Sequence, residues 1–162
     1  MSYVIVPVSP EISAAVRRSR LSPHYGHPAL QERAQGYGPC RSCLQTFRVG
    51  EEDRLLFTLD PFREAGTLPA PGPVFIHHDD CVRHEGAGFP AGLVGLPLLV
   101  EGYDRFGLPL VRREVVWPQP EAAIDSVLSQ PDVAFAHLRN AEAGCFVARV
   151  ERRPGLAPST AE

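Results

Sequence analysis

The sequence contains no lysine, so arginine supplies all sixteen of its basic side chains. We attribute this bias to a GC-rich genome rather than to a function. Nineteen acidic residues outnumber the arginines, and the formal net charge is −3. The arginines stand singly or in short groups along the chain, whereas nucleic-acid-binding domains usually present a clustered basic surface. We therefore expect no nucleic-acid partner.

Long apolar segments are also missing. The longest uncharged stretch, residues 86–100, is too short to cross a bilayer and contains two prolines. The first twenty residues lack the basic and apolar segments that mark a secretory signal. We therefore expect no membrane partner and a cytoplasmic location, where thiols stay mostly reduced. The four cysteines are then candidates for metal ligands, reactive thiols or core residues rather than for disulfides.

Catalytic motifs are absent as well. The segment GAGFPAG at residues 86–92 does not fit the dinucleotide-binding pattern G-x-G-x-x-G, and Pro90 disfavours the helix that this pattern requires. The sequence holds no G-x-S-x-G, no phosphate-binding loop and no H-E-x-x-H. The motifs therefore leave open whether the protein is an enzyme.

Seventeen prolines and fourteen glycines predict short elements with long, ordered connections. Two segments begin with helix-start chemistry, residues 9–20 with Ser9 as N-cap and residues 119–130 with Pro120 early. Strand patterns, most of them joined as hairpins, occupy residues 2–8, 55–59, 73–78, 97–117 and 132–152. Loops are predicted at residues 21–39, leading to Cys40, and at residues 61–72.

These elements predict an α+β fold with a mainly antiparallel sheet, built from hairpins, and about two helices. The length favours one globular domain, which we assign to residues 1–153. Residues 154–162 carry no pattern and are predicted to be a flexible C-terminal tail.

Two groups of metal-ligand residues stand out. Cys40 and Cys43 have the C-x₂-C spacing that lets one tight turn direct two thiolates at one ion. The segment FIHHDDC then supplies a histidine, His77 or His78, together with Cys81. Three thiolates and one imidazole form a closed tetrahedral set that suits zinc. By spacing alone His78 is favoured, because His-x₂-Cys mirrors the first pair.

Other interpretations of these residues remain open. The cysteines could be ordinary thiols with the histidines in a polar loop, or Cys40 and Cys43 could form a redox dithiol whose neighbours Arg41 and Arg48 could favour a thiolate. Such dithiols normally begin a helix in a βαβ unit, a pattern that is not visible here. Asp79 and Asp80 are expected to be loop residues or groups that orient a ligand histidine.

The C-terminal hairpin offers a second candidate site. If Arg139 pairs with Cys145 across the turn, one face carries His137, Arg139, Cys145 and Arg149. Two guanidiniums could hold a small carboxylate or phosphate and would also lower the pKa of the thiol. The opposite face would present Ala134, Ala136, Leu138, Phe146, Ala148 and Val150 to the core. This face could instead be a half-exposed sheet with a buried cysteine.

Several stretches resemble DUF1203, a family of bacterial proteins of unknown function. The matching stretches are GYGPCRSCL (36–44), GEEDRLLFTLDPF (50–62), GPVFIHHDDC (72–81), LLVEGYD (98–104) and HLRNAEAGCFVARV (137–150). The resemblance fixes kinship and implies no established activity. Within GPVFIH it favours His77 as the ligand, followed by three residues and Cys81.

The sequence thus predicts a structural zinc site formed by Cys40, Cys43, His77 and Cys81. The first alternative is a module that binds a small anion on the C-terminal hairpin. The second is a thiol-dependent or redox enzyme that uses Cys145 or the Cys40–Cys43 dithiol.

Overall fold

The structure is a computed structural model that describes residues 3–61 and 72–153. Two helices and eight strands follow one another along these residues. In chain order they are β1 (Tyr3–Val6), α1 (Pro10–Ser19), β2 (Leu30–Arg33), β3 (Asp53–Leu59), β4 (Gly72–His77), β5 (Leu98–Tyr103), β6 (Pro109–Glu114), α2 (Pro120–Leu128), β7 (Phe135–Asn140) and β8 (Phe146–Arg152). The strands form two antiparallel sheets, so the predicted α+β class is confirmed. Neither helix is long and apolar enough to cross a membrane.

Five strands form the larger sheet in the order β1-β8-β7-β5-β6. Helix α2 lies on one face, because its apolar residues recur at helical spacing and bury Ala123, Ile124, Val127 and Leu128. They pack against sheet residues that include Val100, Ala136 and Leu138. This first core joins the central strands of the sheet to α2.

Strands β2, β3 and β4 form the smaller sheet. Helix α1 begins where the Ser9 hydroxyl accepts a hydrogen bond from the backbone N–H of Ile12, as predicted. Val16 of this helix belongs to a second core with Leu55 and Phe57 of β3 and Val74 and Ile76 of β4. Cys40, Cys43 and Phe146 belong to the same core, which therefore contains the C-x₂-C segment.

One connection between elements differs from the prediction, and two further segments lie mostly or wholly outside the residues that the structure describes. The predicted loop at residues 21–39 contains strand β2, which pairs with β3. Most residues of β2 are exposed, so no apolar alternation marks the strand in the sequence. Most of the loop predicted at residues 61–72 and the tail predicted at residues 154–162 lie outside the described residues.

The register of the C-terminal hairpin also differs. Arg139 lies opposite Phe146 rather than Cys145, and His137 lies opposite Arg149, with a β-bulge between Leu138 and Arg139. A hydrogen bond from the Asn140 backbone N–H to the Cys145 carbonyl closes a turn that is shorter than predicted. The extra residue at the bulge then shifts the pairing once more along β8.

Candidate metal centre

The first two candidate ligands lie in a tight turn between β2 and β3. The backbone N–H of Leu44 donates to the Cys40 carbonyl (2.9 Å), and the Cys40 N–H donates to the Gln45 carbonyl (3.0 Å). Leu44 adopts the left-handed conformation, with φ at 59°, which reverses the chain directly after Cys43. Both cysteines face inward, with Cys40 0% and Cys43 7% exposed.

The buried side chain of Arg41 fixes this turn in the fold. Its Nε donates to the Phe146 carbonyl (2.7 Å), and its guanidinium also donates to the Pro39 carbonyl. The Arg41 backbone carbonyl accepts from the N–H of Val8, and its own N–H donates to the Phe75 carbonyl. Burial lowers the pKa of Arg41 to about 10, so the side chain stays charged at neutral pH. Arg41 thereby connects the turn to Val8, which precedes α1, and to strands β4 and β8.

The other two candidate ligands are His77, the last residue of β4, and Cys81, which lies four residues further along the chain. Val74 and Ile76 point into the second core, and His77 ends the strand opposite Arg54 of β3. The His77 backbone N–H lies 3.3 Å from the Cys40 sulfur and donates to it. Cys81 follows in a segment without helix or strand and is only half-buried.

The fold brings the four residues together. The ligand atoms of Cys40, Cys43, His77 and Cys81 all lie within 4.8 Å of one another, an arrangement that could hold a metal ion. The sulfurs of Cys40 and Cys81 are 3.9 Å apart. The Cys43 sulfur lies 3.4 Å from Nδ1 of His77. All four cysteines of the chain are free thiols.

His78 has other partners. Its Nε2 lies 2.9 Å from a guanidinium nitrogen of Arg20, which can only donate, so Nε2 accepts and Nδ1 carries the proton. Nδ1 accordingly donates to Asp79 at 2.8 Å. Both ring nitrogens of His78 are thus used outside the cluster, and His77 is the histidine that belongs to it.

The carboxylate of Glu52, the residue before β3, contacts His77 on the side of the ring away from the cluster. Nε2 of His77 lies 3.3 Å from Oε2 of Glu52, so in the neutral imidazole that a metal ion requires, the proton would sit on Nε2 and the lone pair of Nδ1 would face the cluster. Glu52 also accepts from the backbone N–H of Arg48, which, followed by the His77 ring, holds the pKa of this carboxyl below its usual value. Asp79 and Asp80, the predicted candidates for this role, do not perform it: Asp79 binds His78 and Asp80 is fully exposed.

Arg17 of α1 contacts the opposite side of the cluster. Its NH2 donates to the Cys81 sulfur (3.3 Å), and its Nε donates to the His77 carbonyl (3.2 Å). Hydrogen bonds within the cluster, the first from Cys40, lower the pKa of the Cys81 thiol, and the charge of Arg17 acts in the same direction. Hydrogen bonds with Cys40 and Cys81 raise the pKa of His77 to about 10. The cluster thus combines thiolate character with a nearby cation.

An open, polar cavity of about 830 Å³ lies beside the cluster and reaches Cys43, His77 and Cys81. Several charged residues of its wall are already paired, among them Arg33 with Asp53 and Arg48 with Glu52. Four protein donors complete a tetrahedron, so an ion held by all of them would have no position for water. The arrangement therefore suits an ion that joins chain segments rather than one that activates a substrate.

The comparison with protein families gives one match. The model of the family described as "Protein of unknown function (DUF1203)" matches residues 37–152, which is most of the chain. The chain belongs to the DUF1203 family. The matched range includes all four residues of the cluster and the C-terminal hairpin. Searches of curated proteins and of solved structures find no match.

The second candidate site of this DUF1203 protein is the C-terminal hairpin. Because the shorter turn pairs Phe146 with Arg139, Phe146 lies on the face of His137, with ring centroids 4.8 Å apart, whereas Val147 lies in the first core. The predicted face of Phe146 was therefore wrong. His137 and Arg139 do lie together, with an Arg139 guanidinium nitrogen 3.2 Å from Nδ1 of His137.

The two guanidiniums of the hairpin have separate partners. Arg139 donates to the Tyr103 hydroxyl and the Gly144 carbonyl, and its Nε lies 3.9 Å from Glu101. Arg149 pairs with Glu151. These contacts disfavour a shared role in holding an anion, and anion binding by this face of the DUF1203 fold stays a prediction. Cys145 follows in the turn and is half-buried.

His137 is a buried base on this face. Burial, followed by the charges of Arg139 and Arg149, lowers its pKa to about 2. A guanidinium can only donate, so Nδ1 of His137 accepts from Arg139 and the ring proton sits on Nε2. His137 is therefore neutral at physiological pH.

Sequence reasoning missed Glu52 and Arg17. Glu52 is 25 positions from His77, and Arg17 is 64 positions from Cys81. Nothing in their local sequence marks them, because ordinary charged residues flank both. Only the pairing of β3 with β4 and the placement of α1 reveal that they contact the ligands.

Proposed function

We propose that Cys40, Cys43, His77 and Cys81 hold one zinc ion that stabilises the fold of this DUF1203 protein. The geometry of the cluster carries the proposal. With zinc–sulfur distances of about 2.3 Å and a zinc–nitrogen distance of about 2.0–2.1 Å, a tetrahedral ion sets its sulfurs about 3.8 Å apart and its sulfur and nitrogen about 3.6 Å apart. The separations of 3.9 Å and 3.4 Å agree with these edges to within a few tenths of an ångström.

The donors and their surroundings favour zinc. A Cys₃His set is a common structural zinc site, and a tetrahedron of sulfur with nitrogen suits this ion. Three thiolates give a zinc centre a formal charge of −1, which the guanidinium of Arg17 offsets through its contact with Cys81. The Glu52–His77 contact supplies the carboxylate that ligand histidines usually have behind them.

The ion would join three parts of the chain. One is the turn that carries Cys40 and Cys43, the second is the end of β4, and the third is the irregular segment that carries Cys81. Zinc holds these parts only in the folded state, so its binding free energy adds to the free energy of unfolding. Ligation requires reduced cysteines, and we therefore propose that the protein works in the reducing cytoplasm.

Elemental analysis of untagged protein, purified without oxygen, tests the proposal. We expect about one equivalent of zinc, together with loss of the ion and a lower melting temperature for Cys43→Ser. The control is Cys145→Ser, which removes a half-buried thiol outside the cluster and should leave the zinc content unchanged. Less than about 0.2 equivalents of metal in wild-type protein with four free thiols would overturn the proposal. Full zinc content in Cys43→Ser would show that the ligand set is wrong.

A further inference from the structure

We propose that Cys40 and Cys81 form an oxidation site through which a hydroperoxide converts the metal centre into a disulfide and releases the zinc. The inference rests on the proposed zinc centre and adds a chemical reaction to it. Three features support it: the accessibility of Cys81, the position of its sulfur beside that of Cys40, and the irregular backbone around Cys81.

Cys81 is the exposed edge of the centre. Cys40 and Cys43 are buried, whereas Cys81 is half-buried. Cys81 lines the cavity of about 830 Å³ beside β4 and also a second cavity of about 430 Å³ beside α1. A small peroxide can therefore approach Cys81 from solvent on two sides, whereas Cys43 lines the first cavity with only 7% of its surface exposed and Cys40 is fully buried.

The neighbouring sulfur is in place to complete the reaction. The sulfurs of Cys40 and Cys81 are 3.9 Å apart, and a disulfide needs about 2.05 Å, so the two atoms must approach by roughly 1.9 Å. Cys40 is fixed in its turn by backbone hydrogen bonds with Leu44 and Gln45. Cys81 lies in a segment without helix or strand, so the required movement falls on Cys81.

The chemistry consumes one hydroperoxide for each disulfide. The Cys81 thiolate attacks the peroxide, so that a sulfur–oxygen bond forms, the oxygen–oxygen bond breaks and an alcohol (or water) leaves after taking up a proton. The Cys40 thiolate then attacks the Cys81 sulfur, a sulfur–sulfur bond forms, and the hydroxide leaves as water with a second proton. Two electrons pass from the two thiolates to the peroxide.

The disulfide removes half of the donor set. Only Cys43 and His77 remain, and two donors no longer close a tetrahedron around the ion. The zinc should leave, and the connection between the turn, the end of β4 and the segment of Cys81 should loosen. Reduction in the presence of zinc should restore the centre.

The test begins with the zinc content of reduced wild-type protein and then adds hydrogen peroxide in equimolar steps. A chromogenic chelator follows zinc release, after which free thiols are blocked and the protein is cut with trypsin. Cleavage after arginine separates the four cysteines, because Cys40 lies in peptide 34–41, Cys43 in 42–48, Cys81 in 64–83 and Cys145 in 140–149. The matched control is Cys145→Ser, which should release its zinc at the wild-type rate.

We expect one zinc released per peroxide consumed, a disulfide between peptides 34–41 and 64–83, and recovery of the zinc content after treatment with dithiothreitol and zinc. Retention of zinc after oxidant is in excess, or a disulfide between peptides 34–41 and 42–48, would overturn this inference and leave the structural zinc centre standing. Absence of zinc before any oxidant is added would overturn both.

Discussion

Replacement of Glu52 by glutamine should weaken zinc binding without removing a ligand. The carboxylate lies 3.3 Å from Nε2 of His77, on the side of the ring away from the sulfur of Cys43. Glutamine keeps the shape of the side chain and loses its charge. The variant therefore removes the electrostatic support of the imidazole while all four donors stay in place.

The structure sets the size of the effect. Loss of such a partner typically costs 10–100-fold in metal affinity. The contact of 3.3 Å is longer than the 2.7–2.9 Å or so of a strong charged hydrogen bond, and the Glu52 side chain is 21% exposed. Both features place the loss of zinc affinity in Glu52→Gln near the lower end of this range, at about tenfold, or about 1.4 kcal/mol of binding free energy. Competition with a chromogenic chelator of known zinc affinity measures this change.

Glu51→Gln is the matched control. Glu51 precedes Glu52, lines the same cavity and is 70% exposed, and its described cation contact is with Arg48 at 4.0 Å. The two variants have the same net charge, so a difference in zinc affinity reports the contacts of Glu52 with His77 and Arg48 rather than the loss of one negative charge. Melting curves of the zinc-free proteins would separate a loss of folding from a loss of binding. Equal zinc affinities for the two variants would refute the role of Glu52.

Two further predictions concern packing and pH. Gly92→Ala should destabilise the protein by about 1–3 kcal/mol and weaken zinc binding, because a Cβ at this position would stand 2.4 Å from the carbonyl oxygen of Leu44. Urea unfolding measures the change in stability. The control is Gly86→Ala, whose Cβ would have its nearest contact at 3.5 Å. The folded-state pKa of His137, about 2, lies below the ordinary value of about 6.5, so acid favours the unfolded state. Zinc-free wild-type protein should therefore lose about 2–3 kcal/mol more than His137→Gln between pH 7 and pH 4.5, and equal losses in urea titrations would contradict the assignment.

Sequence patterns predicted the four residues of the candidate metal centre but not their surroundings. Spacing and residue type were enough to pair Cys40 with Cys43 in one turn, whereas the resemblance to DUF1203 selected His77 to accompany Cys81. Glu52 and Arg17 reach the centre through tertiary packing, which no local pattern encodes. Spacing alone favoured His78, whereas the cluster in the structure contains His77, the last residue of β4.

The strands show the same division between local and non-local information. The hairpin of β5 and β6 was predicted from its apolar runs and the turn at residues 104–107, and both strands are present. The edge strand β2 gave no signal, because most of its residues are exposed and its polar side chains contact charged residues of β3, so the strand needs no apolar alternation. The bulge in the C-terminal hairpin was missed because the shorter turn and the inserted residue each shift the register by one position. Ala148, Arg149 and Val150 beyond the bulge therefore keep their predicted faces, and the period of the sequence does not reveal the insertion.

The composition of the second core explains why an ion would be useful there. The smaller sheet has three strands, and the core between it and α1 includes Cys40 and Cys43 where a larger protein could place aliphatic side chains. Without an ion, sulfurs and an imidazole at that position pack less favourably than hydrocarbon and share protons among themselves. With zinc, the same groups would form four strong bonds to one ion at the point where the turn, β4 and the segment of Cys81 meet. On the proposals made above, the donors would stabilise the core to which they belong, and the accessibility of Cys81 would leave that stability open to oxidation.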